Sequence, residues 1–182
     1  MAPSRKGRLL IALPILADPN FDRTVVLMIE DNEQGSAGLV LNRPSPVPVV
    51  QALPELAGAV APPTVLFFGG PVNQDTAIGL ARNTEPADGW TAVAGDIGTI
   101  DVGSCQDGVP PGLTDVRVFA GYAGWGPGQL DGEIEAGAWL VVDAELSDLL
   151  SPSPDALWRT VLRRQPGQTA WLANYPADLT TN

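Results

Sequence analysis

Residues Gly121–Leu140 read G-Y-A-G-W-G-P-G-Q-L-D-G-E-I-E-A-G-A-W-L, with four glycines in the first eight positions. A backbone this rich in glycine must bend or approach another group closely, since glycine does both without a steric penalty. Gln129–Glu135 follows with helical spacing: Leu130 and Ile134 share one side, and acidic Asp131, Glu133 and Glu135 cover the rest. Ala138–Val142 then reads as a strand. A glycine turn, a short helix and a strand within so few residues imply a fold of short, closely packed elements.

The flanking sequence reads the same way. Leu9–Leu13 is a buried strand, and Asp18-Pro19-Asn20 a turn in which Asp18 serves as cap or turn acceptor. Thr24–Glu30 is a β-branched strand, paired through the loop Asp31–Ser36 with Ala37–Leu41, which Asn42-Arg43-Pro44 stops. Val47–Leu56 suggests one short helix, and Thr64–Phe68 a strand ending at Gly69-Gly70-Pro71. Ala77–Arg82, Trp90–Ala94, Ile97–Val102 and Val116–Ala120 are further strands at meander spacing. Glu145–Leu150 is a short helix, and Ser153-Pro154-Asp155 supplies N-cap, first-turn proline and acid for a helix to Arg164. The tail after Gly167 reads as loosely ordered. The expected architecture is α+β: an antiparallel-dominated mixed sheet, with barrel closure as one option, and short flanking helices. Residues 1–182 read as one domain, with 1–6 and 177–182 loosely ordered.

Composition excludes several chemistries. With no histidine, the chain lacks the usual general base near neutral pH and the commonest ligand of zinc, copper or iron. Ser36 and Ser104 therefore have no histidine to activate them, and a Ser-His-Asp hydrolase is excluded. Cys105 is the only cysteine, so neither an internal disulfide nor a C-x-x-C site can form; inert burial is its expected state. Lys6, the only lysine, lies at an end where Schiff-base chemistry is not expected. A net charge of −11 opposes tracking along a phosphate backbone. Arg5, Lys6 and Arg8 before Leu9–Ala17 mimic a signal peptide, but Pro14 interrupts the run and D-P-N-F-D-R-T-V-V continues as turn and strand. No apolar run approaches the ~18 residues that a membrane helix needs.

Each site candidate has a plainer reading. Gly124–Gly128 before a helix could hold an anion, but it lacks the lysine and hydroxyl of a P-loop, and Asp131 and Glu133 already occupy the helix start. A tight turn that folds Trp125 onto the core accounts for it. Gly69-Gly70 could bring backbone close to a ligand or simply make a sharp sheet exit. Asp131 and Glu135 could share a hard cation or form a solvated helix face.

Four segments in order carry a resemblance over nearly the whole chain. They are G-R-L-L-I-A-L-P-I-L-A-D-P-N-F-D-R-T-V-V from Gly7, G-L-V-L-N-R-P from Gly38, G-G-P-V from Gly69 and the Gly121–Leu140 segment. Together they resemble the YqgE/AlgH family of small bacterial proteins. The resemblance implies a cytosolic α+β domain and assigns no reaction. The AlgH name attaches to a regulatory role in alginate production, described as transcriptional; only Arg159, Arg163 and Arg164 offer a basic helix here, so direct nucleic-acid binding is not expected. Many relatives carry Glu-His-Asn where this chain has Glu30-Asp31-Asn32, so a role for that imidazole does not transfer.

The leading expectation is a cytoplasmic, non-enzymatic binding or regulatory protein whose partner is a protein or a small molecule. No cofactor, bound metal or membrane is called for. The ligand-contacting candidates are Asn42, Arg43, Gly69, Gly70, Tyr122, Trp125, Gln129 and Glu133. The alternatives are a carboxylate or metal-dependent enzyme using Glu133 with Asp131 or Asp18, and a protein that binds a small anion or nucleotide at a glycine turn with Arg43 or Arg23 nearby.

Overall fold

A computed structural model describes residues 3–16 and 18–176. In chain order the strands are β1 (Leu9–Ala12), β2 (Val25–Asn32), β3 (Gly35–Val40), β4 (Pro44–Pro48), β5 (Val65–Phe68), β6 (Val72–Asn83), β7 (Trp90–Ala94), β8 (Ile97–Ile100), β9 (Leu113–Trp125) and β10 (Trp139–Val142). The helices are α1 (Val49–Ala52), α2 (Gln129–Glu135), α3 (Leu146–Leu149) and α4 (Leu157–Arg163). The main path of the sheet is β10-β1-β2-β3-β9-β6-β8-β7, with β4 attached to β5 and β5 to β9. Its strand ladders are antiparallel except β5–β9, which is parallel with Phe67 opposite Phe119. This is a single α+β domain with a mixed sheet. Among the described residues no ladder joins the end strands β10 and β7, so the pairing does not close a barrel.

β1 is buried at every position because both faces of the sheet are covered. Successive side chains on a strand point to opposite faces. Leu9 and Ile11 accordingly join a core with Leu27, Leu39, Phe119 and the α4 residues Leu157, Trp158, Val161 and Leu162. Leu10 and Ala12 join another with Val26, Met28, Trp125, Leu130 of α2, and Trp139. A third cluster under α1 contains Val49, Leu56, Val102 and Cys105. Each large aliphatic side chain so buried contributes ~1.5–3 kcal/mol. The edge strand β4 has proline at 44, 46 and 48, which removes the N–H groups that would invite another chain.

Several expected elements differ in extent. The strand expected over Val116–Ala120 continues through Gly121 to Trp125, so only Gly126-Pro127-Gly128 turns. Gly121 permits this: its φ is 72°, and a Cβ there would lie 2.5 Å from the Gly70 carbonyl oxygen. The hairpin loop expected over Asp31–Ser36 tightens to Glu33-Gln34, since Asn32 pairs with Gly35 and the Asn32 Oδ1 accepts from Gln34 N at 2.8 Å. Val47–Leu56 is not one helix: Pro48 ends β4, and Pro54 separates α1 from a 3-10 turn at Pro54–Leu56. Ser153 makes no side-chain cap, and the helix it was expected to start opens as a 3-10 turn at Pro154–Ala156. The segment expected to loosen after Gly167 forms 3-10 turns over Gly167–Asn174, held where Arg159 Nη1 donates to the Ala173 carbonyl at 2.7 Å. Residues 1, 2 and 177–182, expected to be loose, lie outside the described residues. Arg5, by contrast, is bound by two carboxylates. No helix among the described residues is long and apolar enough to cross a membrane.

Candidate functional site

The glycine segment delivers Trp125 into a polar and aromatic knot. Trp125 ends β9, and Trp139 opens β10 just beyond α2. Both indoles donate to one oxygen of Glu133, Trp125 Nε1 at 2.9 Å and Trp139 Nε1 at 2.8 Å. Gln129 Nε2 donates to the other oxygen at 3.0 Å, while Gln129 Oε1 accepts from Gly126 N at 3.1 Å. Gln129 and Glu133 are one helical turn apart, which puts both above the same aromatic surface. Phe21 completes that surface, stacked on Trp125 at 6.2 Å and edge-on to Trp139 at 5.4 Å between ring centroids. Trp125 and Trp139 are only 6% and 3% exposed, so their N–H groups need acceptors and Glu133 supplies them.

The Asn42-Arg43 corner joins this knot through the turn that carries Phe21. Asn42 Oδ1 accepts from Val25 N and its Nδ2 donates to the Arg23 carbonyl, each at 2.9 Å, so the side chain substitutes for a missing ladder step. Arg43 donates to the carbonyls of Asn20 at 2.6 Å and of Pro19 and Asp22 at 3.1 Å. Asp18 Oδ1 accepts from Asn20 N at 2.9 Å, the turn role expected of it. Gly69 and Gly70 lie directly on β9: a Cβ on Gly70 would stand 2.1 Å from the Tyr122 carbonyl carbon. The sharp sheet exit is therefore a requirement of packing. The eight sequence candidates fall into two groups, Tyr122, Trp125, Gln129 and Glu133 at the end of β9, and Asn42, Arg43, Gly69 and Gly70 at the corner.

An open groove runs beside the knot. One cleft of about 370 Å³ is bounded by Glu30, Asn32, Gln34, Tyr122, Gly124 and Trp125. A second, of about 650 Å³, shares Asn32 and Gln34 and extends to Ser4, Arg5, Asp31 and Asp131. Its far wall is charged. Asp31 accepts from Arg5 N at 2.7 Å, Arg5 Nε at 2.9 Å, Arg5 Nη2 at 3.2 Å and Ser36 Oγ at 2.6 Å. Burial pushes the Asp31 carboxyl up, but the Arg5 and Ser36 hydrogen bonds outweigh it and hold the group below its ordinary value. Arg5 Nη1 also reaches Asp131 at 2.6 Å.

The carboxylates considered for metal or proton chemistry are thus engaged: Glu133 by neutral donors, Asp131 by Arg5 and Asp18 by its own turn. Among the described residues no three His, Cys, Asp or Glu side chains converge as a metal-ligand set. Cys105 is 2% exposed, and burial raises its thiol above the ordinary value, the inert setting expected of it. Sequence reasoning missed Arg5, Asp31, Asn32 and Gln34 as groove residues. The Asn32-to-Gln34 turn signal was present, but the contact of Arg5 with Asp31 spans 26 residues and leaves no local trace.

Comparison with known proteins accords with this architecture. The AlgH-like family profile matches residues 9–170. A UPF0301 protein of Streptomyces coelicolor is 49% identical over 185 residues, spanning 98% of this chain and 96% of that protein. A UPF0301 protein of Thermobifida fusca is 42% identical over 190 residues, with 98% and 96% covered. A crystal structure of a Corynebacterium diphtheriae protein superposes with a TM-score of 0.86 at 33% identity, covering 95% of this chain and 93% of that one. The solution structure of the AlgH protein from Pseudomonas aeruginosa gives 0.71 at 30% identity, covering 98% and 97%.

Proposed function

The chain belongs to the AlgH-like family, and from that premise we propose that it is a cytoplasmic, non-enzymatic binding or regulatory protein that recognises its partner in the groove beside Trp125. One observation carries this reading: two adjoining clefts share Asn32 and Gln34 and run from the aromatic wall at Tyr122 to the charged wall at Arg5 and Asp31. A concave surface with an apolar end and a polar end suits selective recognition. The knot serves it by fixing Trp125 and the end of β9, so recognition does not have to order them. Tyr122 and Trp125 contact the partner, Gln129 and Glu133 hold the wall, and Asn42, Arg43, Gly69 and Gly70 brace the turn and sheet behind it. The acidic balance favours a protein or small-molecule partner over nucleic acid.

Native mass spectrometry of the protein purified from its own cells tests this. The expected spectrum contains a bound small molecule or partner chain, lost in a Gln34→Arg, Tyr122→Ala variant that melts as the wild type does. Retention of the bound mass by that variant would remove the groove from recognition.

A further inference from the structure

A separate hollow of about 160 Å³ lies on the far side of the Arg43 corner, walled by Asn20, Arg43, Phe68, Gly70 and Gln74. Arg43 binds three backbone carbonyls and, among the described residues, forms no ion pair with a carboxylate, although acidic residues outnumber basic ones by 21 to 10. Carbonyl dipoles orient a guanidinium without cancelling its charge. Gly70 is pinned on β9, and its N–H donates to no protein acceptor among the described residues; Pro71 contributes no donor of its own. Phe68, at the end of β5, is 51% exposed beside these donors. An aromatic ring left half in water next to an un-neutralised guanidinium and a spare backbone N–H is the layout of a small anion site with an apolar wall.

We propose that this hollow binds a small monoanionic carboxylate carried on a flat apolar group. The Arg43 guanidinium, with three N–H groups held by carbonyls, supplies its charge and its remaining N–H groups, the Gly70 N–H and Gln74 amide supply further donors, and the Phe68 ring covers the apolar part. The hollow is lined by one cation, and its lining residues Asn20 and Gln74 lie within two positions of Asp18, Asp22 and Asp75 in the chain, which favours one negative charge over the two of a phosphate. The volume encloses only the acid and its nearest atoms, so binding is weak, in the millimolar range. This site shares no lining residue with the groove, so the two readings fail independently.

NMR titration of the 15N-labelled chain with benzoate tests the assignment, with benzamide as a neutral isostere and inorganic phosphate as a dianion. Benzoate should shift the Gly70 amide and Gln74 side-chain signals saturably, and benzamide and phosphate should not. Phe68→Leu should weaken benzoate about fivefold through loss of the ring contact. Arg43→Gln should abolish binding, while Arg43→Lys retains part of it. Because Arg43 also braces a turn, the Phe68→Leu variant and the benzamide control decide the matter if Arg43→Gln does not fold. An N-acetylated tripeptide ending in a free Phe carboxylate separates the two sources of such a group: tighter binding than benzoate identifies a chain terminus, weaker binding a free acid. Equal shifts from benzoate and benzamide, or benzoate shifts that spare Gly70, would overturn the proposal.

Discussion

Glu133, which holds the Trp125 wall of the groove from behind, and Asp31, which lies in its charged wall, are satisfied in opposite ways. Glu133 accepts from two indoles and an amide, all neutral, whereas Asp31 accepts from the Arg5 guanidinium, the Arg5 backbone N–H and the Ser36 hydroxyl. The first arrangement is a packing device, in which a carboxylate serves the buried N–H groups of an aromatic wall. The second is an electrostatic clamp that fastens the N-terminal segment to the hairpin tip. One end should therefore respond to shape and the other to pH.

Trp125→Ala should have the largest effect. It removes an indole 6% exposed, unstacks Phe21 and leaves a cavity, so chemical denaturation should show a loss of about 3–5 kcal/mol. A loss below 1 kcal/mol would mean that the wall is not held by packing. Glu133→Gln keeps the shape but turns an NH2 toward donors, either the two indoles or Gln129. It should cost about 2–3 kcal/mol by the same measurement, and a neutral result would show that the indole N–H groups are served by water.

Asp31→Asn should cost less, about 1–2 kcal/mol near neutral pH, with a distinct pH signature. Because its folded carboxyl is held below the ordinary value, its contribution is fully present above the unfolded carboxylate range and is lost as pH falls through the folded value. Wild type and variant should thus converge in stability toward low pH; a constant gap would transfer the effect from charge to packing. The smallest effect belongs to Asp143→Asn at the Arg8 pair. That carboxylate is 93% exposed, and its loss should change the melting free energy by less than about 0.5 kcal/mol.

The elements most legible in the sequence were those with local causes. β7 at Trp90–Ala94 and α2 at Gln129–Glu135 have the expected bounds, because strand alternation and the Leu130/Ile134 spacing act over a few residues. The misjudged ones depend on distant partners. β9 runs through Gly121 because Gly70 and Val72 lie against it, and β4 exists because β5 pairs with it despite three prolines. Of the site, Trp125 and Glu133 were visible as residue types, but their hydrogen bond was not.

By itself the sequence determined the short-element α+β character, the absence of histidine-based chemistry, the acidic balance and the family motifs. Only the tertiary structure decided that Glu133 faces two indoles, that Arg5 clamps Asp31 and Asp131, and that Phe68 stands beside Arg43. The reason is physical. Composition and periodicity record what each residue prefers within a few neighbours, whereas a groove is made by strands such as β2 and β9, which meet through β3 although about 80 residues separate them in the chain.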